Sequence, residues 1–258
     1  MILPSLLEIS KARAIEDVWT IYTKIMDNYG FDRIIYGRTL YRSGTNLGDP
    51  SEFLVLSNHD PSYIEAFVTQ ERYIDSPMFH WSFDNEGCAS WSMVQEMAAK
   101  GELTAKELEV VVMNQEYDVT AGFTFSFPRI SHRAKSSASL TAKNGISQQQ
   151  ADEIWAKHYD ELEILNYLVD LKISTLPYFS QNKSLTKRQR EVLEWIGDGK
   201  TTQDTAIILG LTPATVEKHL RLARENLNVD TTAQAVLKAS FLNQMFLIEN
   251  LSNRKKVK

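Results

Sequence analysis

At 258 residues, 43% apolar and 24% charged, the chain can bury the cores of two ordinary domains, which excludes a disordered or low-complexity protein. It has no run of ~18 apolar residues and no basic, cleavable leader in Met1 to Ile9, pointing to the cytoplasm rather than a membrane; its single cysteine, Cys88, excludes an internal disulfide and has no Cys or His neighbours at zinc spacing. The net charge of −5 is unevenly spread, since residues 183–258 hold 13 Lys and Arg against 8 Asp and Glu while residues 1–182 hold 15 against 25, so a basic end suited to phosphate follows an acidic body.

Ile15, Val18, Trp19, Tyr22, Ile25, Met26 and Tyr29 recur at helical spacing, and Gly30 ends the helix they define. Phe31 to Leu40 and Glu52 to Ser57 are rich in strand formers on either side of the turn-forming stretch Ser43 to Pro50, which makes a hairpin. Helices are expected at Pro61 to Arg72, Ser92 to Lys100 and Thr104 to Tyr117, the last opening on a capping box of Thr104 with Glu107. Gly122 to Ile130 and Ser136 to Lys143 alternate as two more strands. Ser147 with Gln150 then caps one helix whose face carries Ile154, Trp155, His158, Leu162 and Leu165. Helices bracketing a mostly antiparallel sheet predict an α+β domain over residues 1–176, an α/β/α sandwich able to hold a small ligand between sheet and helices.

Pro177 to Ser184 breaks this pattern with polar, turn-forming residues and reads as a linker, leaving residues 185–250 as an all-α, four-helix domain and 251–258 as a basic tail. Thr186 caps the first helix with Gln189 answering, and Val192, Leu193 and Ile196 form its buried stripe. A short helix, Gln203 to Leu209, ends at Gly210; Thr212 and Pro213 then begin a third that runs to about Leu227. A short helix, a glycine turn and a longer helix are the parts of a helix-turn-helix, whose second member enters the major groove of double-stranded DNA. Val216, Leu220, Ala223 and Leu227 are its expected core stripe. The opposite face offers Thr215, Lys218, Arg221 and Arg224 to base edges and phosphates, with Lys200 and Arg188 reaching phosphate from earlier helices. A fourth helix, about Thr231 to Phe246, places Ala235, Val236, Ala239, Leu242 and Phe246 on one stripe. On helix pattern alone, a small bundle with merely solvating bases is the alternative.

The stretch Leu185-Thr-Lys-Arg-Gln-Arg-Glu-Val-Leu193, with Gly199-Lys-Thr, Ala206, Leu209, Thr215-Val216, His219-Leu220 and Leu227, resembles the DNA-binding domain of the LuxR family of bacterial regulators. It departs at Gln189, where the family usually has Glu, and at Leu222 and Asn226, where it often has Asn and Lys. The base missing at Asn226 implies a weaker phosphate contact. In the first domain, Tyr63, Phe67, Asp75-Ser76-Pro77, Trp91 and Ala121-Gly122-Phe123-Thr124-Phe125 resemble the acyl-homoserine-lactone-binding domain of quorum-sensing regulators.

An acylated lactone needs a donor for each carbonyl, an acceptor for its amide N–H and an apolar tunnel for its chain. The resemblance makes Asp75 the acceptor, packs Trp91 on the lactone ring, and lets Ser139 bond a chain or amide oxygen. Ile35, Tyr36, Phe53, Phe79, Phe123 and Phe125 are candidates to line the tunnel. The family typically has Trp at Tyr63 and Tyr at Phe67, so one polar contact is lost at Phe67 or supplied by Tyr36, His59 or Tyr73. The two resemblances together imply a quorum-sensing regulator that binds an autoinducer, needs no cofactor, and acts as a homodimer on a two-fold operator. No nucleophile elbow, carboxylate pair or metal cluster accompanies it, which argues against an enzyme. A LuxR-type regulator that answers a different small molecule, or none, is the alternative.

Overall fold

The computed structural model describes residues 2–42, 47–129, 131–179 and 184–247. The chain divides into two compact units, one built of residues up to Ser174 except Arg13–Ile15, the other of those three residues and the chain from Thr175. Parts of the expected hairpin loop (Ser43 to Asn46), of the linker (Ser180 to Lys183) and the whole basic tail lie outside the described residues, as does Ile130.

The first unit opens with α1 (Leu3–Lys11) and α2 (Ile15–Asn28), followed by β1 (Phe31–Thr39) and β2 (Leu54–Ser57). A short 3-10 turn, Pro50–Glu52, takes the first residue of the expected second strand. The segment expected as one helix from Pro61 to Arg72 is three pieces: α3 (Pro61–Ile64), a π-turn over Glu65–Thr69, and a 3-10 turn over Arg72–Asp75. Asp60 starts it by accepting the Ser62 N–H at 2.8 Å. Two elements absent from the sequence reading come next, α4 (Pro77–Asp84) and β3 (Gly87–Ser90). Then come α5 (Ser92–Lys100), α6 (Ala105–Glu116), β4 (Gly122–Ser126) and β5 (Lys135–Ala142). The single helix expected after Ser147 is broken at His158 into α7 (Gln148–Lys157) and α8 (Tyr159–Thr175).

The strands form one antiparallel sheet in the order β2-β1-β5-β4-β3. Ile35 of β1 and Thr124 of β4 both pair with Ser139 of β5, and residues paired in register share a face of the sheet. One face is aromatic and aliphatic: Phe31, Ile34, Tyr36, Phe123, Phe125, Phe127 and Leu140 are buried on it. Phe123 stacks on Trp155 of α7 with ring centroids 4.3 Å apart, and Phe125 meets Tyr167 of α8 edge-on at 5.1 Å. Tyr22 of α2 donates to Asn166 at 2.6 Å, so the polar atoms buried between these helices are satisfied.

The middle of the other face carries several small side chains. Gly37, Thr124, Ser137 and Ser139 occupy it where the first face carries rings. Tyr63 of α3, Met113 of α6 and Val119 pack together above it with Trp91 and Phe67, completing an α/β/α sandwich. Small residues under bulky helices leave volume unfilled, and a cavity lies there.

The second unit has α9 (Lys187–Gly197), α10 (Thr202–Leu209), α11 (Pro213–Leu227) and α12 (Thr232–Phe241). Capping boxes at Thr186 with Gln189, Thr201 with Asp204 and Thr231 with Gln234 start three of them, and Thr212 caps α11. Val192, Leu193, Ala206, Val216, Leu220, Ala223, Leu227, Ala235 and Ala239 form its core. The last helix is shorter than expected: it ends at Phe241, Asn243 turns with φ at 51°, and Phe246 leaves the stripe to stand 65% exposed. No described helix is long and apolar enough to cross a membrane.

Candidate functional site

The cavity between the small-residue face and α3 to α6 has two parts, a larger one toward α5 and α6, called outer, and a smaller one toward β2 and α4, called inner. The outer part, about 340 Å³, is walled by His59, Tyr63, Trp91, Asn114 and Thr141 together with apolar Val94, Ala98, Val111 and Val119. The inner part, about 110 Å³, runs between Ile35, Phe53, Val55, Phe67, Phe79 and Phe83, with Ser137 and Lys135 at its sheet wall. Ile35, Phe67, Ser76, Met78 and Ser139 line both, so the two adjoin. Two adjoining chambers, both mainly apolar with polar groups set into their walls, suit a ligand with an apolar chain and a few polar atoms.

The π-turn sets part of this wall. The consecutive Phe67 and Val68 of this turn both line the inner chamber. Upstream, His59, Tyr63 and Phe67 stand four residues apart and their rings stack in a column. Centroids lie 4.7 Å apart for His59 on Tyr63 and 5.4 Å for Tyr63 on Phe67. The Tyr63 hydroxyl donates to Asn114 Oδ1 at 2.9 Å, and burial holds its pKa well above the usual tyrosine range. His59 Nε2 is 3.4 Å from the Thr141 hydroxyl; burial, then the nearby Arg33 guanidinium, push its pKa down to about 3. His59 is therefore a neutral imidazole with both donor and acceptor character at the cavity wall.

Trp91 lies where β3 ends. Its backbone N–H donates to Gly122 O at 3.1 Å and its indole N–H to Thr124 Oγ1 at 2.9 Å. Gly122 permits this close approach: a Cβ there would collide with the Leu140 carbonyl and come within 3.1 Å of the Trp91 ring. Ser139 sits at the junction of the chambers.

Of the sequence candidates, Tyr63, Phe67, Trp91, Ser139 and Phe79 line the cavity, as do Ile35 and Phe53. Tyr36, Phe123 and Phe125 do not. Strand alternation puts them on the opposite face, where Tyr36 donates to Asp170 at 2.8 Å and the phenylalanines pack on α7 and α8. Asp75 also lies outside the lining. Its side chain is 38% exposed and 3.9 Å from Lys106 Nζ, rather than buried among aromatics, because a carboxylate with no buried donor is better hydrated at the surface. Asn114 and Thr141 were not read from the sequence. Their signal is weak, Asn114 being one polar residue among several in α6.

On the second unit, α10, a turn at Gly210 with φ at 63°, and α11 form a helix-turn-helix. Thr202 on α10 donates to Glu217 of α11 at 2.9 Å, tying the pair together. Lys218 and Arg221 point to solvent; Arg221 pairs with Glu225 at 2.6 Å and Lys218 makes no ion pair among the described residues. Thr215, partly buried, is drawn into the N-terminal cap, its hydroxyl 2.9 Å from that of Thr212. Arg224 turns inward and donates to Thr232 of α12 at 2.9 Å. Each three-residue step on a helix falls about 60° short of a full turn, so two steps rotate Arg224 by about 120° from Lys218. Arg188 is exposed and paired with Glu191 at 2.7 Å, while Lys200 is exposed after α9.

Asn226 and Gln189, both departures from the family pattern, meet: Asn226 Nδ2 donates to Gln189 Oε1 at 3.1 Å. Asn226 is thus half-buried against α9 rather than aimed at phosphate, and its change matches the one at Gln189. A neutral amide pair replaces the Lys and Glu the family pattern would put there.

An antiparallel sandwich enclosing a mainly apolar cavity with polar groups in its walls, joined to a helix-turn-helix unit, is the build of a small-molecule-responsive DNA-binding regulator. Residues 14–173 match the family model of the autoinducer binding domain, and residues 183–239 match that of the bacterial regulatory proteins of the luxR family. The chain belongs to the LuxR family of autoinducer-binding transcription regulators. It is 23% identical over 203 residues to the transcriptional activator protein CarR of Pectobacterium carotovorum subsp. carotovorum, covering 75% of this chain and 80% of that one. With the transcriptional activator protein LuxR of an Aliivibrio fischeri strain it shares 28% identity over 167 residues, 63% of either chain. It shares its fold with the crystal structure of an N-acylhomoserine-lactone-dependent LuxR-family transcription factor from Burkholderia cenocepacia (TM-score 0.50, 9% identity), covering 66% of this chain and 92% of that one. Membership places it among regulators, not enzymes.

Proposed function

We propose that residues 1–176 bind an acyl-homoserine lactone and that residues 185–250 then govern transcription by reading a two-fold operator as a homodimer in the cytoplasm. The observation that carries this reading is the pair of adjoining chambers, about 340 and 110 Å³, with Tyr63, Trp91, His59 and Asn114 in the wider and phenylalanines in the narrower. The lactone and amide occupy the outer chamber, where Trp91 and Tyr63 supply donors and His59 supplies a donor or an acceptor. The acyl chain passes Ser139 into the inner one. Tyr63 hydrogen-bonds to Asn114 and Trp91 to Thr124 within the wall, so a ligand exchanges bonds instead of meeting bare groups. Lys218, Arg221, Lys200 and Arg188 face DNA, Thr215 starts the recognition helix, and Arg224 braces it.

A second reading has one observation in its favour. With Asp75 at the surface and no hydroxyl at Phe67, the amide N–H of a lactone lacks its expected acceptor, which favours a related small molecule without that group. Melting the purified protein with a panel of acyl-homoserine lactones, and mass spectrometry of whatever copurifies from a lactone-producing host, separates the two. A concentration-dependent rise in melting temperature supports the lactone; no rise with any member, and a different copurified molecule, overturns it.

A further inference from the structure

The inner chamber has one feature an alkyl chain does not call for. Lys135, at the start of β5, is paired with Thr39 of β1 and has its side chain on the cavity face, where it is only 7% exposed. Its ammonium donates to Ser126 Oγ at 2.7 Å and to the Asn85 carbonyl at 3.5 Å. Among the described residues no carboxylate lies within ion-pair distance, and the third N–H finds no protein acceptor. Burial, then Arg129 and Arg42, bring its pKa down to about 8 against the opposing pull of the more distant Glu86 and Asp170 carboxylates, so neutralising it is within reach of ordinary pH but is not complete. A buried cation whose direct hydrogen-bond partners are both neutral is costly unless something else completes its shell.

We propose that the inner chamber takes an acyl chain that carries an oxygen acceptor at its far end, a hydroxyl or a carboxylate, and that Lys135 is the donor that reads it. This rests on the placement of the polar head in the outer chamber. Phe53, Phe79 and Phe83 clasp the methylenes, and the chain tip reaches the sheet wall where Ser137 and Lys135 stand. A plain alkyl tip leaves the third N–H unpaired and dehydrated, so the site discriminates against it as a polar site does against any ligand lacking the matching group.

The test measures binding of octanoyl-homoserine lactone and of its ω-hydroxy and ω-carboxy analogues to the full chain and to Lys135→Met, by ligand-dependent melting and by calorimetry. The wild type is expected to prefer an ω-oxygenated analogue by about tenfold or more, as a charge-assisted hydrogen bond implies. Lys135→Met is expected to erase that preference and bind the plain octanoyl compound better. Equal preference in both proteins, or a wild type that prefers the plain chain, overturns the role of Lys135 and leaves lactone binding intact. If none of the three binds the wild type, the lactone reading falls and this inference with it. Should Lys135→Met fail to fold, the wild-type preference decides the matter alone.

Discussion

Gly37 offers a way to close the cavity without touching the fold. It lies in the middle of β1 between Val55 of β2 and Ser137 of β5, its side faces the inner chamber, and a Cβ built on it meets nothing within 4 Å. Its backbone is not in the left-handed region, so a larger residue brings no strain. Glycine inside a strand forfeits roughly 0.5–1 kcal/mol relative to alanine, and valine adds strand preference and apolar contact against the lining. Gly37→Val is therefore expected to stabilise the ligand-free protein by about 1 kcal/mol, a rise of roughly 2–4 °C in melting temperature for a chain of this size. The same isopropyl group occupies the path of the acyl chain. At a ligand concentration 100 times Kd the wild type gains about 2.7 kcal/mol, roughly 5–10 °C, and the variant should gain almost none of it. Thermal melting of both proteins with and without the lactone that shifts the wild type reads both effects, and a reporter assay checks the response. A variant that melts lower than wild type, or one that keeps the full ligand shift, refutes the assignment of this face to the ligand.

His59 is neutral in the fold at about pKa 3 against 6.5 in the unfolded chain, so the unfolded state takes up a proton first as pH falls. The stability it allows is complete above pH 6.5 and drains away toward pH 3 by up to about 1.4 kcal/mol per unit; denaturant melts at pH 7.5 and 5.5 should show His59→Gln losing about 1 kcal/mol less than wild type, and equal losses would deny its burial. Gly122→Ala drives a methyl group into the Leu140 carbonyl and against Trp91, so the variant is expected to lose about 1–3 kcal/mol and its ligand response together; undiminished stability in a melt would contradict the close approach. Lys218→Ala should weaken operator binding and lower the salt slope by about 1 without changing the melt, whereas Arg224→Ala, by breaking the bond to Thr232, should cost about 1 kcal/mol of stability first. Titrations at two salt concentrations tell them apart, and a Lys218→Ala variant with wild-type affinity removes it from the interface.

Much of the fold is carried by local chemistry that a reader of the sequence can follow. Capping boxes at Thr104, Ser147 and Thr186 fix helix starts within a residue, since the side chains that answer the free N–H groups are adjacent in sequence. What local chemistry does not carry is visible at three places. Strand β3, Gly87-Cys-Ala-Ser90, has no run of strand formers and exists because β4 offers it an open edge. The break at His158 lacks a proline or glycine; its N–H is shared between Ile154 and Trp155 carbonyls, and its ring meets Tyr29 edge-on, a contact fixed by the tertiary structure. The end of α12 at Phe241 is set by a left-handed turn at Asn243, with the Leu242 carbonyl accepting from Tyr178.

The site was legible by residue type but not by face. Alternation sorts the strand residues into two sets, yet a sandwich buries both sets, so periodicity cannot say which one borders a cavity. The natural choice is the set richest in aromatic rings, and that led to Tyr36, Phe123 and Phe125, which are the solid half of the core. The opposite choice has a physical basis that needs only the sequence. A sheet face carrying Gly37, Thr124, Ser137 and Ser139 cannot fill the space beneath helices on its own, and a face too small to fill its space is where a ligand completes the packing. On this argument the rings on the cavity side come from outside the sheet, from the column His59, Tyr63 and Phe67 and from Phe79, and the sheet contributes room and hydrogen bonds. Lys135 is a residue of that face too large and too charged for the part, and its hydrogen-bond partners leave one N–H over, which is why a further partner is sought in the ligand.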